Sequence, residues 1–166
     1  NKKINKVFFS VRDPDVRSFN KSSIKLRKNK VKTSEGILKN KINKFYKSYF
    51  KFKLNKIPYV TAKIAVSKDY FTKNKKNKWI TNIFSRGRVH LLRSMHDCIL
   101  TSVRTVLDDN PRLTCRINGM ENRSPTRIIL DKRLEIPMNS KIITSVKKYP
   151  SIIFFQKYNK RKIHKL

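Results

Sequence analysis

From residue 58 onward, short β-forming runs alternate with stretches of helical spacing, and this order most limits what the chain can fold into. Residues 59–67 (YVTAKIAVS) read as a strand. Residues 82–95 read as a helix carrying Ile83, Val89, Leu91, Leu92 and Met95, with Thr81 or Asn82 as its cap. A strand is expected at 98–100, a short helix at 102–107 and an extended piece at 113–117. Further strands are expected at 126–131, 141–144 and 151–155. Strand and helix in alternation is the pattern of an α/β layer structure.

The first third of the chain has its own pattern. Residues 7–10 read as the end of a buried strand, Asp13-Pro14-Asp15 as a turn, and 22–30 as a helix capped by Ser22 or Ser23. A short strand at 31–33 leads to a turn at Glu35-Gly36. Leu38, Ile42, Phe45, Tyr46, Tyr49 and Phe50 then recur at three and four, which predicts one amphipathic helix over 38–54 with a Lys-rich solvated face. The segment 55–58, ending in Pro58, reads as a linker, so the domains are expected at 1–55 and 56–166.

Apolar residues are 38% of the chain, with 10 Phe, 6 Tyr and one Trp, enough for a core despite a formal net charge of +32. The charge is spread: residues 1–78 hold 24 basic and 4 acidic groups, residues 79–166 hold 18 and 6. Lys, Asn and Ile number 29, 15 and 18 of 166, a bias that A/T-rich coding produces without selection for phosphate. Nucleic acid is therefore expected only as nonspecific charge attraction. Cys98 and Cys115 form no CxxC motif, and His90, His96 and His164 lack ligand spacing with them, so neither a metal site nor a disulfide framework is expected. Both cysteines are expected to be buried or half-buried. No apolar run is long enough to span a bilayer and no secretory pattern opens the chain, so a soluble cytoplasmic protein is expected. The start at Asn1 rather than Met leads to the expectation of a fragment.

The chemistry-bearing residues concentrate in 105–116, TVLDDNPRLTCR. Asp108 and Asp109 are the only adjacent acids, and Asn110-Pro111 imposes a turn directly after them. On residue type alone the pair could bind a metal, serve as acid and base, accept hydrogen bonds from hydroxyls, or cap a turn. Lys63 is either a snorkelling strand-edge residue or a cation aimed into a pocket. Trp79 is either core or a platform for a ring. The helix start near Thr81 suits an anion, and Arg93 near the helix end suits its dipole. Gly36, Gly87 and Gly119 are the only glycines, so no GxGxxG turn and no P-loop is present.

The order PYVTAKIAVSKD, WIT, HLLRSMHDCILTSVRTVLDDNPRLTCR, PTRIILD resembles the reductase domain of the bifunctional deaminase–reductase of riboflavin biosynthesis. The resemblance covers residues 56–145 strongly. Residues 7–55 resemble the closing part of that family's deaminase domain, through Asp13-Pro14, Gly36 and Ile42-Asn43 with Phe45. The implied fold is α/β, a truncated dihydrofolate-reductase-like domain preceded by the C-terminal part of a cytidine-deaminase-like α/β domain.

The resemblance implies NADPH-dependent reduction of 5-amino-6-(5-phosphoribosylamino)uracil to its ribitylamino product, with hydride reaching C1′ of the ring-opened ribose imine. By position, Lys63 and Asp109 would be catalytic. Ala65, Trp79, Thr81, Thr105 and Asp109 would contact the cofactor, and Asn77, Arg93, Leu113 and Arg116 the substrate, the arginines by their planar, permanently charged forks. A homodimer is implied for the full-length protein, and zinc only for the deaminase half upstream. The alternatives are a basic nucleic-acid-binding module and an inactive folded fragment. Three departures stand out: Tyr70 replaces the turn glycine of the family's S-L-D-G, the loop 72–79 is about two residues short, and Lys132 replaces a common Ser. A positive φ would strain Tyr70.

Overall fold

The computed structural model describes residues 4–72, 80–157 and 160–164. It divides into two compact units, Asn1–Lys63 and Ile64–Leu166.

In the first unit, β1 (Lys6–Phe9) and β2 (Lys32–Glu35) pair in parallel, Lys6 opposite Lys32 and Phe9 opposite Glu35, joined through α1 (Lys21–Lys28). β1 is not buried as expected: Phe8 is largely exposed, and Lys6 lies over its ring. α1 is not capped by Ser22 or Ser23. Its first turn follows Asn20 in the left-handed region, with no side-chain cap. The helix expected over 38–54 is two, α2 (Lys39–Phe45) and α3 (Lys47–Asn55), broken at Tyr46. There the rings of Phe45, Tyr46, Tyr49 and Phe50 pack edge-on or tilted, with centroids 5.0–6.3 Å apart.

The only buried residue among those described in this unit is a carboxylate, Asp15. Arg17 meets it through Nε and Nη2 at 3.0 and 2.7 Å, and Lys53 through Nζ at 2.6 Å. Asp13 accepts from Ser18 Oγ and from the Tyr49 hydroxyl, tying the loop to α3. Arg17 and Lys53 hold the Asp15 carboxyl far below the usual carboxylate range, and Ser18 and then the Asp15 amide lower that of Asp13. A depressed carboxylate contributes stability that is fully present above its unfolded value, about 4, and lost as pH falls toward its folded value. Helical circular dichroism from this unit is therefore expected to fall below about pH 4, and Asp15→Asn to blunt that fall. A wild-type signal flat down to pH 2 would contradict this.

The second unit holds the apolar core. α4 (Ile83–Ser94) starts where expected: Asn82 caps it, its Oδ1 accepting from the Ser85 amide at 2.8 Å. β3 (Cys98–Ser102), β4 (Thr126–Leu130) and β5 (Ser151–Phe154) form a parallel sheet in the order β3-β4-β5. α5 (Val103–Asp109) and α6 (Lys141–Thr144) supply Val106 and Ile142 to a core with Leu113, Ile129 and Ile136, flanked by Ile99, Val103, Ile143 and Ile153. The other face of the sheet displays Leu100, Leu130, Ile152 and Phe154 to solvent.

Three secondary-structure expectations and one burial expectation are corrected. Residues 141–144 are helical: Ser140 caps α6 and Asn110 Oδ1 accepts from the Lys141 amide at 2.8 Å, so local capping overrides the β preference of Ile142 and Ile143. Residues 59–67 form no ladder, because β-forming side chains without a paired neighbour leave the strand unmade. Residues 113–117 form no ladder either. Cys115 is buried, but Cys98 is exposed at the sheet's outer face.

Candidate active site

The helix α4 and the loop after α5 meet at one polar junction. α5 ends at Asp109, and Asn110 takes the left-handed conformation (φ 39°) that Asn tolerates, turning the chain into Pro111. Leu113, also left-handed (φ 57°), drops its side chain into the core. This pins Thr114, Cys115 and Arg116 beside the last turns of α4. Arg93 Nη1 donates to the Thr114 carbonyl at 3.1 Å. His90, one turn earlier on the same helix face, places Nδ1 at 3.2 Å from that carbonyl and at 3.2 Å from the Arg116 amide. Arg116 Nη2 stands at 3.2 Å from His90 Nε2.

Two guanidinium groups thus converge on one imidazole. Burial, and then the neighbouring Arg116 charge, lowers the Arg93 pKa; burial, Arg93 and Arg116 lower that of His90. Arg93 Nε is buried with no partner among the described residues. A partly desolvated, doubly cationic junction favours an anion, and phosphate most of all.

Arg116 also lines a cavity of about 380 Å³ with Arg112, Thr114, Lys141, Ser145 and Tyr149. Behind that wall Arg127, on the central strand β4, is fully buried. Its guanidinium donates to the carbonyls of Arg112, Ile142 and Tyr149 and to Ser145 Oγ. It therefore joins the loop, α6 and the start of β5 into one frame.

The remaining site residues distribute as follows. Thr105 and Asp109 lie one helical turn apart on α5. Thr105 is half-buried and Asp109 exposed, with nothing donating to its carboxylate among the described residues. Asp108 pairs with Arg104 at 3.3 Å. Thr81 stands before the α4 cap, its carbonyl accepting from Arg86 at 2.6 Å. Ala65 is half-buried in the unpaired segment, and Lys63, exposed, belongs to the other unit rather than to a strand of the sheet. Asn77 and Trp79 lie outside the described residues. Tyr70 does adopt the positive φ, 63°, in the turn closed by its amide on the Ser67 carbonyl. His90 and Arg127 were missed by sequence reasoning. The available signals were the three-residue spacing of His90 and Arg93 on one helix, and a lone charge inside the apolar run TRIIL.

A parallel α/β sheet whose helix α4 and post-α5 loop build a cationic junction defines an α/β chain with an anion-binding site. Residues 58–166 match the RibD C-terminal domain family, and the chain belongs to it. It is 32% identical over 152 residues to riboflavin biosynthesis protein RibD of Actinobacillus pleuropneumoniae, covering 90% of this chain and 40% of that protein. Against RibD of Aquifex aeolicus the identity is 31% over 160 residues, covering 95% and 44%. The crystal structure of a diaminohydroxyphosphoribosylaminopyrimidine deaminase/5-amino-6-(5-phosphoribosylamino)uracil reductase from Thermotoga maritima superposes with a TM-score of 0.83 at 29% identity, over 94% of this chain and 44% of that one. Acinetobacter baumannii RibD gives 0.81 at 25%, over 97% and 46%. The α/β fold is thus the dihydrofolate-reductase-like one that the motifs implied. The chain spans less than half the length of these relatives. Among the described residues no helix is long and apolar enough to cross a membrane, and no cluster of His, Cys, Asp and Glu could hold a metal ion.

Proposed function

We propose that the chain serves NADPH-dependent reduction of 5-amino-6-(5-phosphoribosylamino)uracil to the ribitylamino product. The observation that carries this is the Arg93–His90–Arg116 junction, built on the residues at which the family motif lies. By motif position, Arg93 and Arg116 anchor the 5′-phosphate, the backbone at Leu113 and the residue Asn77 contact substrate, and Lys63 holds a sugar hydroxyl. Thr105 and Asp109 suit a nucleotide cofactor: a hydroxyl and an unoccupied carboxylate one turn apart can donate to and accept from ribose and amide groups. Ala65, Trp79 and Thr81 are the further cofactor contacts in this reading. NADPH, when bound, supplies the hydride; the chain's own residues orient the two reactants. Residues 1–55 close a deaminase domain whose zinc site lies outside this chain, and 56–166 open the reductase domain. The full-length protein is a cytoplasmic homodimer.

Titration of NADPH fluorescence with the 166-residue chain tests the reading. Saturable quenching that survives salt supports it; salt-sensitive nucleic-acid binding without a saturable NADPH site would favour a basic binding module. In the full-length protein, Asp109→Asn is expected to lower NADPH-dependent turnover by about tenfold to a hundredfold, the worth of a hydrogen bond to a charged acceptor. Turnover within twofold of wild type would remove Asp109 from the site.

A further inference from the structure

We propose that His90 is a positioning residue for Arg116. Its neutral imidazole holds the Arg116 guanidinium at the mouth of the cationic cavity in one tautomer and releases it to a phosphate monoester in the other. A neutral imidazole offers one donor and one acceptor. Around His90 stand one acceptor, the Thr114 carbonyl at 3.2 Å from Nδ1, and three donors. These are the Arg116 amide at 3.2 Å and Arg93 Nη1 at 3.5 Å, both on the Nδ1 side, and Arg116 Nη2 at 3.2 Å from Nε2.

No tautomer satisfies all of them. With the proton on Nδ1, the ring donates to Thr114 and Nε2 accepts from the Arg116 side chain, but the Arg116 amide faces an N–H. With the proton on Nε2, the amide is satisfied and the guanidinium is repelled. Each state makes what the other loses, so a ligand with modest preference for one of them switches the ring. The doubly protonated ring is disfavoured first by burial, and then by Arg93 on its own helix and Arg116 on the loop.

The released guanidinium has a destination. Arg116 shares the cavity wall with Arg112 and Lys141, against one acid, Glu121. A dianionic phosphate entering there draws Arg116 off Nε2, while the loop backbone stays fastened to α4 through Nδ1. Only the identity of the ester as the substrate's 5′-phosphate rests on the reductase reading.

The test is imidazole nitrogen NMR on the full 166-residue chain, titrated with D-ribose 5-phosphate. The expected result is a neutral, Nδ1-protonated His90 at pH 7 that converts to the Nε2-protonated form along a saturable curve. His90→Gln, whose amide both donates and accepts, is expected to bind the probe within about threefold of wild type, and His90→Leu about tenfold more weakly. A His90 protonated at pH 7, a tautomer unchanged at saturation, equal binding by His90→Leu, or no binding of the probe would each overturn the proposal. NADPH titrated into the same samples separates the two readings. NADPH binding without a His90 response defeats this proposal alone, and a His90 response without NADPH binding defeats the reductase assignment alone.

Discussion

Arg127→Met is expected to destabilise the Ile64–Leu166 unit by about 1–3 kcal/mol in chemical denaturation, the cost of leaving a buried acceptor unsatisfied. Two effects oppose each other. Arg127 is fully buried, no carboxylate faces it, and its Nε has no partner among the described residues, so a shape-matched apolar residue removes an expensive charge. Against this, its two terminal nitrogens satisfy three carbonyls, those of Arg112, Ile142 and Tyr149, together with Ser145 Oγ. Methionine leaves the buried Ile142 carbonyl without this donor, at about 1–3 kcal/mol, while Ser145 Oγ keeps its bond to the Lys141 carbonyl and the Tyr149 carbonyl keeps its bond from Ser151 Oγ. The Tyr149 ring, 5.8 Å from the guanidinium carbon, offsets part of the charge cost in the native protein. The lost hydrogen bonds outweigh the relief. Arg127→Lys should fall between, since one ammonium cannot reach acceptors on both sides of a planar fork. A Met variant as stable as wild type would mean that the bare charge dominates and that the frame around the cavity does not need the arginine.

The same residue marks where sequence reasoning stops. Strands at β3, β4 and β5 and the ends of α4 were readable within a residue or two, because apolar periodicity and an Asn cap act locally. A basic residue inside TRIIL reads locally as an edge position, and only the carbonyls of three distant segments make it a core residue. Residues 141–144 show the same limit: their β-branched pair misleads until Ser140 and Asn110 are seen to cap a helix. Residues 59–67 mislead in the same sense, since propensity without a neighbour makes no strand. At the site, motif register brought forward Arg93 and Arg116, which the fold does bring together. It passed over His90, whose meaning lies in contacts 24 and 26 residues away.

Asp131→Ala is expected to cost about 3–5 kcal/mol, from two buried hydrogen bonds to a charged acceptor. β4 ends at Leu130, and the next residue folds the chain around its own carboxylate: Oδ1 accepts from the Glu135 amide and Oδ2 from the Ile136 amide, both at 2.8 Å. The Asp131 amide donates to the Phe154 carbonyl, so this one residue fastens the β4 exit to β5 through its backbone and to the 134–136 loop through its carboxylate. That loop places Leu134, at φ 57°, and Ile136 in the interior; without the carboxylate, two amides lose their acceptor beside a fully buried isoleucine. Asp131→Asn keeps one acceptor but turns an N–H₂ group toward the other amide, so it should recover only part of the loss. With stabilities of about 5–15 kcal/mol typical of whole domains, the alanine variant should melt well below the wild type. The function should suffer before the fold does. The chain runs from this loop directly into Ser140 and Lys141, and Lys141 stands in the wall of the cavity that Arg116 shares. A loosened 131–136 loop is therefore expected to weaken ribose 5-phosphate binding at temperatures where the sheet is still intact. Unchanged binding and a thermal midpoint within a few degrees of wild type would show that the Asp131 carboxylate is dispensable to both.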